Sequence, residues 1–239
     1  LAMSRSGEVP LASLFLCIIA LTAASAWTLM VMQHPGPLLI DLQAQRLFSW
    51  LATPWLTDAS LLLAEVGDKA GIITLVAPWA LWLLLVKRID LLAHGALALG
   101  GIGALNTLGK AVFARARPDT PDYLVGSFSY PSAHTSTWVV VVGITAAFVA
   151  SQLPRQRRMW VYWLAIAITI PMALSRLIIG VHWLSDLMGG VLLGLVVCAL
   201  VQLNWQRRYR PPLPSFPWLG LLLGSLLLII LRVTFFPPV

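Results

Sequence analysis

Two histidines lie at the starts of long apolar segments, and one of them has a carboxylate close by. His182 and Asp186 are four positions apart in "HWLSD", a spacing that places both on one helix face. The carboxylate can then hold one imidazole nitrogen and leave the other as a nucleophile. His134, in "PSAH", stands before a second apolar segment and can act as general acid. Two histidines with these separate duties favour in-line displacement at phosphorus through a phosphohistidine.

Basic residues from two further segments could bind the phosphate. Lys110 and Arg117 lie in "KAVFARAR", and Arg176 follows Ser175 at the end of another apolar segment. The planar guanidinium of arginine matches phosphate oxygens better than a lone ammonium does. Ser175 is either a further substrate contact or a hydroxyl that bonds back within its own helix. The sequence therefore predicts an anion site that these cations share with the two histidines.

The start of the segment after "PSAH" offers backbone donors as well. Ser132 is expected to cap this helix, which leaves the amides of Ala133 and His134 to donate toward an anion at the positive end of the helix dipole. Cations and amides together can stabilise the charge on the equatorial phosphate oxygens. We therefore expect neither a metal nor a cofactor.

The composition is that of an integral membrane protein. Hydrophobic residues make up 59% of the chain and charged residues 10%, whereas soluble domains carry about 25% charged residues. Apolar segments recur along the whole sequence, which predicts an all-α fold, a polytopic membrane helical bundle. The net charge of +7 is explained by membrane topology, so nucleic acid is not expected as a partner.

A membrane-spanning helix needs about 20 predominantly apolar residues. This criterion predicts six core transmembrane helices and a seventh candidate at the C-terminus, which could cross the membrane or lie along its surface. A proline-rich linker precedes that last segment, so we divide the chain into a transmembrane domain, 1–210, and a linker with a C-terminal hydrophobic segment, 211–239. The predicted spans are Leu11–Met32, Ala59–Val86, Leu91–Gly109, Thr135–Leu153, Met159–Ile178, Trp183–Asn204 and, as the seventh, Phe216–Phe236.

Basic residues cluster on one side of this topology, around positions 87–88, 155–158 and 207–210. The positive-inside rule makes that side cytoplasmic. The segments 33–58, 110–134 and 180–182 then face the outside or the periplasm. All of the candidate site residues lie at that outward side.

Other polar residues have simpler interpretations. Arg115, Asp119 and Asp122 lie between the motifs and are predicted to shape the loop or to be solvated rather than catalytic. Buried polar side chains in spans commonly bond across helices, and we expect this of His94 and Asn106. Glu65 and Asp68 interrupt the second span, where they either line an entry route or, more simply, cap a helix start.

These motifs resemble the signature of the type-2 phosphatidic acid phosphatase superfamily, in its membrane lipid phosphatase branch. The matching patterns are KxxxxxxRP (110–118), PSxH (131–134) and SRxxxxxHxxxD (175–186). The resemblance implies that His182 is the nucleophile, Asp186 its partner and His134 the acid that later activates water. It also implies that the phosphate is bound by Lys110, Arg117, Ser132, Arg176 and the Ala133 amide. Ala133 replaces the commonest glycine, and a seventh span would depart from the usual six.

The resemblance implies a multi-pass hydrolase of the bacterial plasma membrane, active at the periplasmic or outer face on a lipid phosphate or diphosphate. Undecaprenyl diphosphate is the first expectation, followed by phosphatidylglycerol phosphate or phosphatidic acid. A lipid phosphotransferase with the same intermediate and a non-enzymatic phospholipid transporter are the alternatives. The lipid, the choice between hydrolysis and transfer, and the oligomeric state stay open at this point. The first residue is not methionine, so excision from a longer protein with an upstream membrane domain also stays open.

Overall fold

The computed structural model is all-α across the residues that it describes, 11–34, 36–121, 124–207 and 215–235. This confirms the predicted fold class. Within those ranges the helices are α1 (Leu11–Met32), α2 (Leu39–Leu51), α3 (Pro54–Gly67), α4 (Lys69–Leu85), α5 (Ile89–Phe113), α6 (Ala133–Ser151), α7 (Arg155–Ile178), α8 (Leu184–Gln206) and α9 (Trp218–Phe235).

Six helices, α1 and α5–α9, are each long and apolar enough to cross a membrane. The predicted second span, Ala59–Val86, is divided into α3 and α4, which meet at an angle of 59°. Asp68 forms the break because its carboxylate accepts a hydrogen bond from the Gly71 amide and caps α4. A capped helix start is therefore confirmed for Asp68, and the predicted second span is a bent pair of helices.

Helix α2 and the first turn of α3 lie within the segment 33–58, which precedes the second predicted span. At 13 residues, α2 is shorter than the length of about 20 that a span needs. It packs against α7 and α8. Asp41 and Ala44 are its buried residues, so α2 brings a carboxylate into the bundle.

Glycines allow α6 and α8 to approach closely. A Cβ added at Gly190 would lie 2.7 Å from the Ser132 carbonyl oxygen, and one at Gly194 would lie 2.9 Å from the Ser136 carbonyl oxygen. Small residues permit such backbone contact between membrane helices. The Ser132 amide also donates to the Asp186 carbonyl at 3.1 Å. The N-terminal ends of α6 and α8 are thereby held side by side.

Polar side chains bond across helices as expected. The His94 Nε2 atom lies 2.9 Å from the Asn204 Nδ2 atom, and Asn106 accepts from the Ser136 hydroxyl at 2.8 Å. The interhelical hydrogen bonds predicted for His94 and Asn106 are thus confirmed. They tie α5 to α8 and to α6.

Helix α9 packs along α4. The Ser225 hydroxyl donates to the Leu75 carbonyl at 2.7 Å. Nearer its end, Arg232 donates to the Asp68 carboxylate and to the Glu65 carbonyl, both at 2.9 Å. The C-terminal hydrophobic segment is therefore fastened to the break between α3 and α4. Most of the predicted proline-rich linker, 211–214, and Phe236 lie outside the described residues.

Replacing Gly194 by leucine should destabilise the bundle, because the side chain would force α8 away from α6. Leucine has a better helix propensity than glycine by nearly 1 kcal/mol, yet overpacking typically costs about 1–3 kcal/mol. The thermal unfolding midpoint in detergent should therefore fall. Gly220→Leu is the matched control, since an added Cβ there meets nothing within 4 Å. Equal midpoints for the two variants would contradict the close contact.

Candidate active site

The turn before α8 brings His182 to Asp186. The His182 Nδ1 atom lies 3.4 Å from the Asp186 Oδ2 atom, which also accepts from the Trp183 amide at 2.8 Å. The sequence reading placed both residues on one helix face, but α8 begins at Leu184 and His182 precedes it. The pair forms because the carboxylate folds back over the helix start. Both side chains are buried, at 4% and 0% exposure.

Burial lowers the pKa of the His182 imidazole to about 4. Asp186 raises this pKa through its hydrogen bond and its charge, while the charges of Arg176 and Arg117 lower it. Desolvation outweighs the carboxylate because it disfavours the charged imidazolium. The ring is therefore neutral near pH 7. With Nδ1 directed at Asp186, the second ring nitrogen, Nε2, has a lone pair available for reaction.

Arg117 and Lys110 are fixed beside His182 by backbone carbonyls. The Arg117 guanidinium donates to the carbonyls of Val181 at 2.7 Å and Phe128 at 3.0 Å. Its Nη1 atom lies 3.3 Å from the His182 Nε2 atom. The Lys110 ammonium donates to the same Phe128 carbonyl. Arg117 thus borders the Nε2 atom of His182, and Lys110 shares a carbonyl partner with Arg117.

His134 and Arg176 complete the cluster from two other helices. His134 lies in the first turn of α6, where its imidazole hydrogen-bonds to the Ala64 carbonyl of α3. It is close enough to Arg176, His182 and Lys110 for their charges to act on it. Arg176 lies in the last turn of α7 and is 4% exposed. The structure therefore brings all three motifs to one place.

The start of α6 differs from the prediction in one detail. The Ser132 hydroxyl lies 3.1 Å from the Thr135 hydroxyl and makes no side-chain cap bond to a backbone amide. The predicted side-chain cap is therefore wrong.

Ala133 is the first helical residue of α6, so alanine is accommodated where the family motif commonly has glycine. The first amides of a helix have no acceptor within it, and this holds for those of Ala133 and His134 at the start of α6.

The Ser175 hydroxyl donates to the Met172 carbonyl at 2.7 Å, which is a bond within its own helix. The side chain is 1% exposed. This contact agrees with the second interpretation of Ser175, a hydroxyl that bonds back within its own helix. A direct role of Ser175 in substrate binding stays a prediction.

Arg115 contradicts the solvated interpretation, whereas the loop-shaping one stays a prediction. It is 9% exposed, not solvated, and donates to the Asp186 Oδ1 atom at 2.6 Å and to the Asp41 Oδ2 atom at 2.9 Å. Asp41 also accepts from the Ser185 amide at 2.8 Å. The lone acid within the apolar helix sequence "LIDL" was the available signal for Asp41. These contacts form a buried network behind the histidine and carboxylate pair.

The fold and the site together define a class of protein. It is a helical membrane protein in which a neutral histidine, paired with a carboxylate, lies beside a cluster of cationic side chains that suits an anion. Residues 91–210 match the PAP2 superfamily, and the chain belongs to that family of phosphatases. The resemblance seen in the sequence is thereby confirmed.

Three curated relatives are phosphatases by name. The chain is 28% identical over 152 residues to phosphatidylglycerophosphatase B of Bacillus subtilis, covering 62% of this chain and 75% of that protein. It is 28% identical over 164 residues to "Putative undecaprenyl-diphosphatase YbjG" of Escherichia coli, covering 65% and 76%. It is 33% identical over 103 residues to decaprenylphosphoryl-5-phosphoribose phosphatase of Mycobacterium tuberculosis, covering 41% and 52%.

A solved structure shares the fold. The crystal structure of the transmembrane PAP2 type phosphatidylglycerolphosphate phosphatase from Bacillus subtilis superimposes with a TM-score of 0.66 and 27% sequence identity. The match covers 83% of this chain and 98% of that one. The chain is thus a multi-span membrane enzyme of the lipid phosphatase branch of the family.

Replacing Arg115 by methionine should destabilise the protein strongly, because it leaves Asp41 and Asp186 buried without their shared cation. Breaking a buried ion pair typically costs about 3–5 kcal/mol. The measurement is the thermal unfolding midpoint in detergent. Arg46→Met is the matched control, since Arg46 is an exposed arginine on α2. A midpoint for Arg115→Met that equals the control's would mean that the network contributes little to stability.

Proposed function

We propose that this enzyme hydrolyses a lipid phosphate or diphosphate through a phosphohistidine on His182. One observation carries the proposal: the neutral His182 has Nδ1 directed at Asp186 and Nε2 at 3.3 Å from Arg117, inside a cationic pocket. A neutral imidazole with one fixed nitrogen is an activated nucleophile, and the guanidinium marks where a phosphate oxygen would bind.

In the first step the Nε2 atom of His182 attacks phosphorus and a P–N bond forms. The P–O bond to the lipid breaks, and the departing oxygen takes a proton from His134. In this scheme His134 is protonated once the phosphate is bound, because the anion favours the imidazolium, and it then acts as general acid. The imidazole becomes positively charged as it is phosphorylated. Asp186 stabilises that charge from the other ring nitrogen, as the carboxylate of a catalytic triad does.

The transferred phosphoryl group carries its negative charge on three equatorial oxygens. In this proposal Lys110, Arg117 and Arg176 supply cations for these oxygens. The Ala133 amide at the start of α6, next to Ser132, is a further donor. Such donors are fixed before the reaction by contacts with the protein, as Arg117 and Lys110 are by Phe128. Preorganised donors stabilise the transition state without rearranging.

In the second step water attacks the phosphohistidine. His134, now without its proton, removes one from that water, and the P–N bond breaks. Inorganic phosphate leaves and both histidines return to their starting states. An alcohol of a second lipid in place of water would make the enzyme a phosphotransferase.

Arg115 and Asp41 act as positioning residues in this scheme. Arg115 binds the Oδ1 atom of Asp186 at 2.6 Å, which turns the Oδ2 atom toward His182. Asp41 in turn holds Arg115 at 2.9 Å. Neither residue contacts the phosphate in this proposal. Their effect reaches the reaction through the orientation of the Asp186 carboxylate.

The positive-inside pattern supports an active site at the periplasmic or outer face of the bacterial inner membrane. There a headgroup can enter the pocket while its chains stay among the helices. The names of the relatives support two substrate classes, phosphatidylglycerol phosphate and polyprenyl phosphates or diphosphates. Undecaprenyl diphosphate is the first substrate to test.

His182→Ala should lower phosphate release by at least about a thousandfold, as loss of a covalent nucleophile does in other enzymes. The assay uses detergent-solubilised protein with undecaprenyl diphosphate, phosphatidylglycerol phosphate and phosphatidic acid, with chelator present. His34→Ala, at an exposed histidine, is the matched control and should behave as wild type. Labelled substrate should leave label on quenched wild type but not on His182→Ala.

Activity that survives His182→Ala would overturn the nucleophile assignment. Label that passes to an added lipid alcohol instead of water would identify a phosphotransferase. Lipid movement across vesicles without any phosphate release from wild type would identify a transporter.

The pH at which kcat/KM falls on the acid side of the pH profile, its acid limb, should reflect the low pKa of His182. Only the neutral imidazole attacks, so activity is retained as the pH falls until about 4, where the ring becomes protonated. Arg117→Gln removes a cation that lowers this pKa, so the limb should move to higher pH. Substrate ionisation is common to both proteins, and the difference between their pH profiles therefore reports the enzyme group. Superimposable limbs would contradict the role of His182.

A further inference from the structure

The last turn of α3 holds the imidazole of His134. The ring hydrogen-bonds to the Ala64 carbonyl, which belongs to that turn. The ring also lies against Gly67, the last residue of α3, because an added Cβ there would come within 3.1 Å of its Cδ2 atom. The last carbonyls of a helix have no donor within it, so the Ala64 carbonyl can accept this bond from another helix. The position of His134 therefore depends on where α3 ends.

The next carbonyl of the same turn is bound by α9. Arg232 donates from Nη1 to the Glu65 carbonyl at 2.9 Å and from Nη2 to the Asp68 carboxylate at 2.9 Å. The same Nη2 atom lies 3.4 Å from the Glu65 carboxylate. A cation at the C-terminal end of a helix also interacts favourably with the helix dipole. Consecutive carbonyls of α3 thus have His134 and Arg232 as their partners.

Arg232 also bridges the junction at which α3 meets α4. Asp68 binds Arg232 with one carboxylate oxygen, and with the other it accepts from the Gly71 amide and caps α4. The two helices pack tightly here, since an added Cβ at Gly71 would lie 2.1 Å from the Glu65 carbonyl oxygen. The side chain of Arg232 is 18% exposed, so its ion pair is screened less than a surface pair would be. One planar guanidinium therefore joins the end of α3 to the start of α4.

We propose that Arg232 is a positioning residue for His134 and acts through the last turn of α3. The inference rests on the proposed function, in which His134 exchanges protons with the leaving oxygen and with water. A general acid works only within hydrogen-bonding reach of its target, and a displacement of about 1 Å can cost about 100-fold in rate. The Ala64 carbonyl then does for His134 what a carboxylate does for the nucleophile.

Arg232 reaches the site from outside the family's motifs. Both α9 and α3 lie beyond the residues that match the family, 91–210. The cations proposed to bind the phosphate come instead from α5, from the loop after it and from α7, and they are Lys110, Arg117 and Arg176. A change at Arg232 should therefore lower kcat and leave KM nearly unchanged, because it displaces the proton transfers and not the phosphate contacts.

Arg232→Met tests the inference because it keeps an unbranched side chain and removes the donors. Ser225→Ala is the matched control, since it removes another hydrogen bond between α9 and α4, about 10 Å along the helix from Arg232. Both variants are assayed in detergent with the lipid of the panel above that wild type hydrolyses fastest. Arg232→Met should lower kcat by about tenfold, whereas Ser225→Ala should behave as wild type. A raised KM with unchanged kcat would overturn the proposal.

A double-mutant cycle with His134→Ala separates positioning from a general loss of stability. Residues that act as a unit have non-additive effects on the rate. In the His134→Ala background, Arg232→Met should therefore change kcat by less than about twofold. Arg232→Lys, which keeps the cation, goes through the same cycle should the methionine variant fail to fold. An equal fold loss of kcat in the two backgrounds would overturn the proposal.

Nitrogen-15 NMR of the histidine rings tests the inference without the reaction. The chain has four histidines, and comparison with His134→Ala identifies the signals of His134. At about pH 8, above the ordinary pKa of histidine, the bond to Ala64 should hold the wild-type ring in a single tautomer with two well-separated shifts. Arg232→Met should bring these shifts together as the tautomers mix, while those of His94, in α5, stay unchanged.

The two measurements distinguish this inference from the proposed function. His134 shifts that do not respond to Arg232→Met would overturn the inference alone. A response of those shifts in a protein whose wild type releases no phosphate would overturn the proposed function alone.

Discussion

The backbone contact between α6 and α8 is the constraint on which the site depends. Ser132 donates its amide to the Asp186 carbonyl at 3.1 Å, so the helix start that carries His134 and the helix start that orients His182 form one rigid unit. The contact exists because Gly190 has no side chain opposite the Ser132 carbonyl. In-line chemistry requires two groups on opposite sides of phosphorus to stay aligned within a fraction of an ångström. In this bundle the direct backbone contact between α6 and α8 supports that alignment.

Charge balance within the bundle explains why the site attracts an anion. Among the described residues, the charges of Arg117, Arg176 and Asp186 act on Lys110, and Arg115 pairs with Asp41 and Asp186. Arg115 is committed to these two carboxylates, which leaves the cations on the phosphate side of the imidazole in excess. Burying like charges together is unfavourable unless an anion offsets them. Burial lowers the pKa of His182 most, and the charges of Arg176 and Arg117 lower it further. The cations proposed to bind the phosphate therefore also favour the neutral form of the proposed nucleophile.

The sequence predicts what spacing and residue type determine, and it fails where burial determines the outcome. The motif residues were identifiable because each lies at the end of an apolar segment and because charge at such places is rare without a purpose. For Arg115 the sequence predicts a loop-shaping or a solvated residue, because a loop arginine gives no sign of being enclosed. Its enclosure depends on Asp41 of α2, a helix too short to be recognised as a span. The division of α3 from α4 did leave a signal: Glu65 and Asp68 flank a glycine inside an apolar run. Their partner Arg232 lies far away in sequence, so the contact with α9 was not accessible from periodicity.

The family's motifs do not indicate which lipid a member accepts. The relatives are all phosphatases by name, one named for a glycerolipid and others for polyprenyl lipids. Discrimination between hydrocarbon chains requires a surface that contacts them, and a methylene contributes little unless the pocket excludes alternatives by shape. Residues 91–210 match the family and hold the motif cations and both histidines, whereas α1–α4 and α9 lie outside that match. The helices around the matched frame can therefore differ between relatives that are named for different lipids while the motif residues stay in place.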